Sequence, residues 1–329
     1  MSDAVKPLTF ALLRELADGR FHSGEQLARQ HDISRATVNN ALRDLALLGL
    51  DLFSVPGRGY RLAKPLVWLN AATVRQALGG AAAWLHLELL DSASSSNSLL
   101  LKRAAEGTPS GTVLAVEWQT AGRGRLGRSW HAALGDSLTF SLLWRFDCGL
   151  ASLAGLSLAV GVALIRALRH FGFAEAGLKW PNDVLTKHGK LAGILIEAQG
   201  DMMGPSAVVI GIGLNVRLPK ILPAEVKQTT SSLADMTETL LDRNQIFAQI
   251  LFELTSVLKD FTVHGFEPLC DEWERYHCWQ NQQVNLLLPD GKNEMGKILG
   301  VTQDGALRLA TEQGERIFHS GEISVRLVK

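Results

Sequence analysis

The feature that most constrains the fold is a charge-free apolar run over residues 150–165, LASLAGLSLAVGVALI. It is shorter than the ~20 residues needed to cross a bilayer and is rich in Ala, Gly and Ser, so it reads as a helix buried in a core. A chain of 329 residues has room for two or three domains and at least one large core. Strand signals lie on both sides of the run, in TVLAVEWQ, SLTFSLLW, GLKW, KLAGILIEAQ and SAVVIGIGLNV. Strands alternating with helices from Leu85 to about Phe266 predict an α/β domain with a mixed sheet. An amphipathic helix over 244–263, with Ile246, Phe247, Ile250, Leu251, Leu254, Leu258 and Phe261 on one side, closes that domain.

Smaller units flank it. Phe10, Leu13 and Leu16 share a helix face, Ser23 caps a short helix with Gln26 placed for a capping box, and Ser34 caps another in which Val38, Ala41, Leu42 and Leu45 face inward. LDLFSVPGRGYRL then alternates on both sides of Pro56-Gly57-Arg58-Gly59, as two strands joined by a turn. The sum is a helix-turn-helix with a wing. Lys64-Pro65 breaks the pattern near a linker at 63–68, and an alanine-rich stretch follows. Beyond Trp279, short strands with turn signals at Asp290-Gly291, Asp304-Gly305 and Gln313-Gly314 predict a small β-barrel. The expected organisation is multidomain α+β: 1–64 winged helix-turn-helix, 65–84 linker and connecting helix, 85–275 central domain, 276–329 barrel.

With 33 basic and 33 acidic residues the chain has no bulk attraction to nucleic acid or to an anionic membrane, so any anion site is local. Cys148, Cys270 and Cys278 are odd in number and form no CxxC pair, which argues against a disulfide framework or a cysteine zinc site and fits a reducing cytoplasm. The start, MSDAVKPLTF, has neither the basic nor the apolar part of a signal peptide. No histidine pair has zinc spacing, and no Ser-His-Asp triad stands out.

The local anion site is announced by QTAGRGRLGRSWH, residues 119–131. Arg123, Arg125 and Arg128 crowd together, and like charges ~8 Å apart repel by about 2 kcal/mol at an effective dielectric near 20. Unliganded, such a loop resists folding. Gly122, Gly124 and Gly127 add entropy to that cost but let backbone amides approach a ligand closely. A phosphate or carboxylate reverses the balance, because each guanidinium offers it a planar donor fork. The residues alone also admit a solvated basic loop or a nucleic-acid patch. The string is neither a Walker phosphate loop nor a dinucleotide fingerprint.

GRGRLGRSW is similar to the ligand loop of biotin protein ligases, and SSN (95–97), KWPNDV (179–184), GKLAGILIE (189–197), GIGLNV and GEIS follow in that family's order. With the winged helix in front, the whole chain resembles the bifunctional bacterial ligase and operon repressor type. Ser96 stands where threonine is common, Leu126 stands where arginine is frequent, and 226–232 holds no aromatic residue to stack on adenine. The resemblance implies a central domain of the biotin/lipoate ligase type and an SH3-like barrel. It also implies that the enzyme activates biotin with ATP and Mg²⁺ and passes it to a lysine of the biotin carboxyl carrier protein of acetyl-CoA carboxylase.

Joining a carboxylate to a polyphosphate opposes like charges, so cations that tighten as charge develops are needed. The resemblance implies Lys190, Arg125 and Arg123 for that role, with Lys190 bridging carboxylate and α-phosphate from a sheet edge and Arg123 serving mainly loop closure and phosphates. Asp183 is the candidate Mg²⁺ ligand. Ser95, Asn97 and Gln119 suit the neutral ureido ring; the biotin set adds Ser96, Arg123, Gly124, Arg125, Gly127, Lys190, Gly193 and Gly213. The nucleotide set is Arg125, Arg128, Trp130, Asn182, Lys190 and Asn215. Trp118, Trp180 and 212–214 are candidate apolar walls. In the N-terminal unit nine Lys and Arg meet seven Asp and Glu, a net of +2 that decides little. Placement favours operator DNA: Ser34, Arg35, Thr37, Asn39, Asn40 and Arg43 on the second helix, with Arg58 in the wing. A homodimer formed when adenylate is bound is expected, and no membrane partner. A biotin sensor without catalysis and a lipoate-type acyl ligase on the same fold are the competing readings.

Overall fold

The computed structural model describes residues 5–43, 45–219, 226, 229–239, 242–319 and 323–328. The N-terminal unit contains α1 (Pro7–Glu15), α2 (Gly24–Gln30), α3 (Arg35–Arg43) and the antiparallel hairpin of β1 (Leu52–Val55) and β2 (Gly59–Leu62). Ser23 Oγ accepts the Gln26 N–H ahead of α2, and Ser34 Oγ accepts the Thr37 N–H at 3.1 Å ahead of α3. Gly59 has φ +96°, and a Cβ there would lie 2.0 Å from the His22 carbonyl oxygen, so only glycine lets the wing close onto the turn before α2. Phe10, Leu13, Leu16, Leu27, Val38, Leu42, Leu45 and Leu48 build its core, while Ala41 is half-buried at the rim. A residue from far along the chain completes that core: Leu134, whose N–H donates to the Leu48 carbonyl at 3.3 Å.

The central domain begins with α4 (Ala71–Leu78), capped by Asn70, and among the described residues carries seven strands: β3 (His86–Ala93), β4 (Thr112–Gln119), β5 (Ser137–Phe146), β6 (Gly177–Lys179), β7 (Asp183–Thr186), β8 (Gly189–Gly200) and β9 (Ser206–Asn215). Their order is β3-β4-β5-β9-β8-β7-β6. Only β3 and β4 run parallel, because α5 (Ser96–Ala105) crosses over between them; the other neighbours are antiparallel. The mixed sheet is thus as expected, with two strands that patterning missed. β3 is a half-exposed edge strand, HLELLDSA, whose charges dilute its apolar signal, and β7 is four residues long and hidden behind Asn182-Asp183.

The apolar run does not form one helix. It breaks at Gly155, where φ is +78° and a Cβ would meet the Phe266 side chain at 2.5 Å; a short 3₁₀ turn precedes the break and α6 (Leu156–His170) follows. The 150–170 stretch is apolar and long enough to cross a membrane, yet α6 is packed between the sheet and α7 (Arg243–His264), with Leu158, Ala159, Val160, Val162, Ala163 and Ile165 almost wholly buried. α5 covers the opposite face with Leu100 and Ala104 against Leu114, Val116 and Val209.

All seven apolar residues expected on the 244–263 helix are buried in α7. Just before them, Arg243 is 1% exposed and forms a buried ion pair with Glu117 at 2.8 Å. Its guanidinium also donates to the carbonyls of Ser137 and Val67, and Glu117 accepts the Leu69 N–H at 2.6 Å. The linker is therefore pinned to the sheet.

After α8 (Cys270–Tyr276), the C-terminal sheet comprises β10 (Gln283–Leu287), β11 (Asn293–Val301), β12 (Leu307–Thr311), β13 (Gly314–Phe318) and β14 (Ser324–Leu327), antiparallel in the order β13-β12-β11-β10-β14. The first three connections fall at the expected turn dipeptides. Val284, Leu286, Ile298 and Leu307 join the same core as α6 and α7, and the Trp180 indole N–H donates to the Gly305 carbonyl at 3.0 Å. The barrel is fastened directly to the KWPNDV corner.

Candidate active site

Two adjoining cavities open at one end of the central sheet. An inner one of about 50 Å³ lies among the start of α5, the ends of β4 and β5, and the middle of β8 and β9. An outer one of about 330 Å³ extends to the barrel, reaching Ile323, Ser324 and Val325. Gly124, Arg125, Trp130, Asn182 and Lys190 line both.

The inner cavity is a polar cup. Ser95 caps α5, the Ser96 N–H donates to Gln119 Oε1 at 2.7 Å, and Ser141 Oγ donates to Ser96 Oγ at 2.7 Å or Asn97 Oδ1 at 2.5 Å. Asn97 Nδ2 donates to the Leu195 carbonyl and to Glu197 Oε2, so this side chain holds the cup together more than it faces a ligand. The wall opposite is the β8–β9 register pair Gly193 and Gly213. The Trp130 indole lies against both: a Cβ on Gly213 would sit 2.3 Å from it, and one on Gly193 would sit 3.4 Å away. Only glycine at 213 leaves room for that ring, while a Cβ at 193 would crowd the end of the Lys190 side chain at 3.0 Å.

The arginine loop is a folded hairpin, contrary to the expectation that its charges alone keep it open. Gly124 N–H donates to the Arg128 carbonyl at 2.7 Å and Trp130 N–H to the Gly122 carbonyl at 2.9 Å. The repulsion is relieved because the guanidinium groups part. Arg123 turns back to Glu197 at 2.9 Å and to Ser98 Oγ at 3.0 Å, whereas Arg125 turns inward and donates to Asn182 Oδ1 at 3.1 Å. Arg123 thus closes the loop and points away from the outer cavity. Gly127 sits at the tip with φ +70°, outside both cavities, and Leu126 beside it is exposed with φ +57°.

The outer cavity is cationic. Lys190 Nζ lies 2.6 Å from Asp183 Oδ1. The β6–β7 register places Lys179 opposite Asp183, and Arg125 and Arg128 come from the loop. Burial pushes the Arg125 guanidinium below its usual pKa, with Asp183 opposing and Arg128 adding to the fall. Burial likewise lowers Lys179; Asp183 opposes this, while Lys190, Arg128 and Arg326 reinforce it. Among the described residues these cations face the Asp183 carboxylate, and an anion entering there offsets their desolvation and mutual repulsion. Lys179, which lines the outer cavity, escaped sequence reasoning. The signal for Lys179 was available, since a hairpin turning on Trp180-Pro181-Asn182 sets 179 against 183.

Lys190 is not at a sheet edge. β7 pairs on one side of it, and residues 229–231 bind it on the other through Lys190 N–H to the Thr229 carbonyl and Ser231 N–H to the Lys190 carbonyl. Asn215 lines the outer cavity, but its amide donates to the carbonyls of Lys190 and Ser231, which fixes that strap. Trp180 reaches the outer cavity; Trp118 faces the N-terminal unit instead. Gly321 and Glu322 of GEIS, and Lys227 and Gln228 of the 226–232 segment, lie outside the described residues. Among the described residues no cluster of three or more His, Cys, Asp or Glu forms a metal cage.

On the N-terminal unit, Arg35, Thr37, Asn39, Asn40 and Arg43 are exposed on α3. Ser34 is occupied as its cap, and the Arg58 guanidinium stacks over Phe21 at 4.3 Å.

Residues 89–215 match the biotin/lipoate A/B protein ligase family, 9–61 a helix-turn-helix domain, and 281–326 the biotin protein ligase C-terminal domain. The bifunctional ligase/repressor BirA of Escherichia coli K12 is 36% identical over 99% of both chains. The biotin–[acetyl-CoA-carboxylase] ligase of Mycobacterium tuberculosis is 34% identical over 75% of this chain and 92% of its own. A structure of biotin protein ligase from Aquifex aeolicus in complex with biotin and ATP superposes with a TM-score of 0.63 at 30% identity, covering 74% of this chain and 99% of that one. On cup, cationic chamber and full-length similarity together, the chain belongs to the biotin protein ligase family, among its bifunctional ligase/repressor members.

Proposed function

We propose that this protein activates biotin with ATP and transfers it to a lysine of the biotin carboxyl carrier protein of acetyl-CoA carboxylase, and that its winged helix represses biotin synthesis genes. The observation that carries the reading is the adjacency of a neutral polar cup to a cation-rich chamber, with Lys190 and Arg125 on their common wall. The cup takes the ureido ring, and the acyl chain runs past the Trp130 indole toward Lys190. A biotin carboxylate oxygen attacks the α-phosphorus, the bond to the bridging oxygen breaks, and pyrophosphate leaves. The carrier lysine amine then attacks the acyl carbon, AMP leaves, and the lost proton passes to solvent.

Lys190 and Arg125 hold the carboxylate beside the phosphate and bind more strongly as negative charge gathers between them. Arg128 and Lys179 stabilise the departing pyrophosphate. Asp183 is a carboxylate beside phosphate-binding cations, which suits Mg²⁺ carried in on the polyphosphate, and the ion would neutralise phosphate charge there. Trp130 walls the acyl chain from the nucleotide. We assign the four domains as 1–64, 65–84, 85–275 and 276–329, the cytoplasm as the site of action, and the adenylate-bound homodimer as the species that grips operator DNA through α3 and Arg58.

The test is ATP–pyrophosphate exchange with biotin, lipoate or octanoate offered separately. Exchange with biotin alone is expected; exchange with another acid, or none, overturns the reading.

A further inference from the structure

Glu197 has no part in binding ATP or in the chemistry described above, yet it stands at the junction of the three pieces that form the cup. From β8 it accepts the Asn97 amide of α5 at 3.0 Å and both terminal nitrogens of Arg123 at 2.9 and 3.3 Å. Asn97 is 3% exposed, so its amide hydrogen bonds are made out of water. Arg123 in turn donates to Ser98 on α5. Glu197 thus ties the loop hairpin to both β8 and α5.

We infer that Glu197 is a positioning residue that latches the arginine loop over the biotin cup and so sets how tightly and how long biotin is held. The inference rests on the biotin reading. Its chemistry is a charge-assisted fork closed across the end of the cup remote from the phosphates. A loop of arginines and glycines has high entropy and self-repulsion when free; one fixed anion at its base removes one guanidinium from the repulsion and shortens the mobile span. Opening the latch frees the backbone of Gly124, which lines the cup, without touching Lys190 or Arg125.

The experiment uses the full chain and the variants Glu197→Gln and Arg123→Lys, the second lying on a half-exposed side chain whose change leaves the sheet intact. Hydrogen exchange over 121–130 is measured without ligand, and biotin affinity and dissociation rate by titration and stopped flow. The expected result is faster exchange in both variants, biotin binding weakened about tenfold, or ~1.4 kcal/mol, mostly through faster dissociation, and kcat at saturating biotin within twofold of the parent for Glu197→Gln. The double variant then loses no more than the larger single loss. Unchanged exchange, unchanged biotin affinity, or additive losses overturn the latch. If the parent itself binds no biotin, the functional reading fails while the ligand-free exchange still decides the latch.

Discussion

At the scale of single residues, the site is built as much by missing side chains as by charged ones. Gly193 and Gly213 face each other across two strands, and the missing side chains leave space for the Trp130 indole at 213 and for the end of Lys190 at 193. The Gly213→Ala variant places a methyl 2.3 Å from the ring and forces the indole outward. We expect kcat/KM for biotin to fall at least tenfold with KM for ATP within threefold of the parent, as steady-state exchange kinetics would show; equal losses for both substrates would contradict the wall assigned to Trp130. The arginines, the lysine of GKLAGILIE and the serine cluster were legible because their chemistry is unusual in any sequence. Lys179 was not, because a lone cation near a strand end reads as a solvated residue until strand register places it.

At the scale of elements, strands with clean apolar runs declared themselves and the diluted or short ones, β3 and β7, did not. Helix boundaries shifted where a tertiary neighbour intervened, as Phe266 does at Gly155. Arg243 escaped notice for the opposite reason, since an arginine one step before an apolar face looks like a solvated cap until Glu117 is brought to it. The joint between the central domain and the barrel makes its own prediction. His277 is 6% exposed, stacked on Trp273 at 4.5 Å, and pairs by backbone with Leu178. Burial lowers its pKa from 6.5 to about 4, with only the Gln280 contact opposing. The unfolded chain therefore binds the proton first. The stability due to keeping this imidazole neutral is whole above pH 6.5 and is lost as pH falls through 4, on the order of 3 kcal/mol in all. Urea titrations at pH 7.5 and pH 5 should show about 2 kcal/mol of this loss in the parent and less in His277→Phe; an equal loss in both would exclude His277 as its source.

At the scale of the whole molecule, the winged helix and the ligase are joined by more than their linker. The Glu117–Arg243 pair holds Val67 and Leu69 against the sheet, Arg14 of α1 bonds Asp91 of β3 at 3.0 Å, and the chain leaving the ligand loop runs from Trp130 into the N-terminal core at Leu134. Removing residues 1–64 should weaken biotin binding about tenfold, and Leu134→Ala in the full chain should reproduce part of that loss while costing the N-terminal unit about 2–4 kcal/mol. Calorimetric titration of the truncated and substituted proteins checks both, and parent-like affinity in the truncated form would refute the connection. The position of Leu134 also bears on descent. Gene fission cannot separate the two activities cleanly here, because the cut strands a leucine four residues from the pocket tryptophan with no core to enter. A lineage that sheds its winged helix is therefore under pressure to recode positions 133 and 134 as polar, and that substitution is the scar by which the lost domain can be traced.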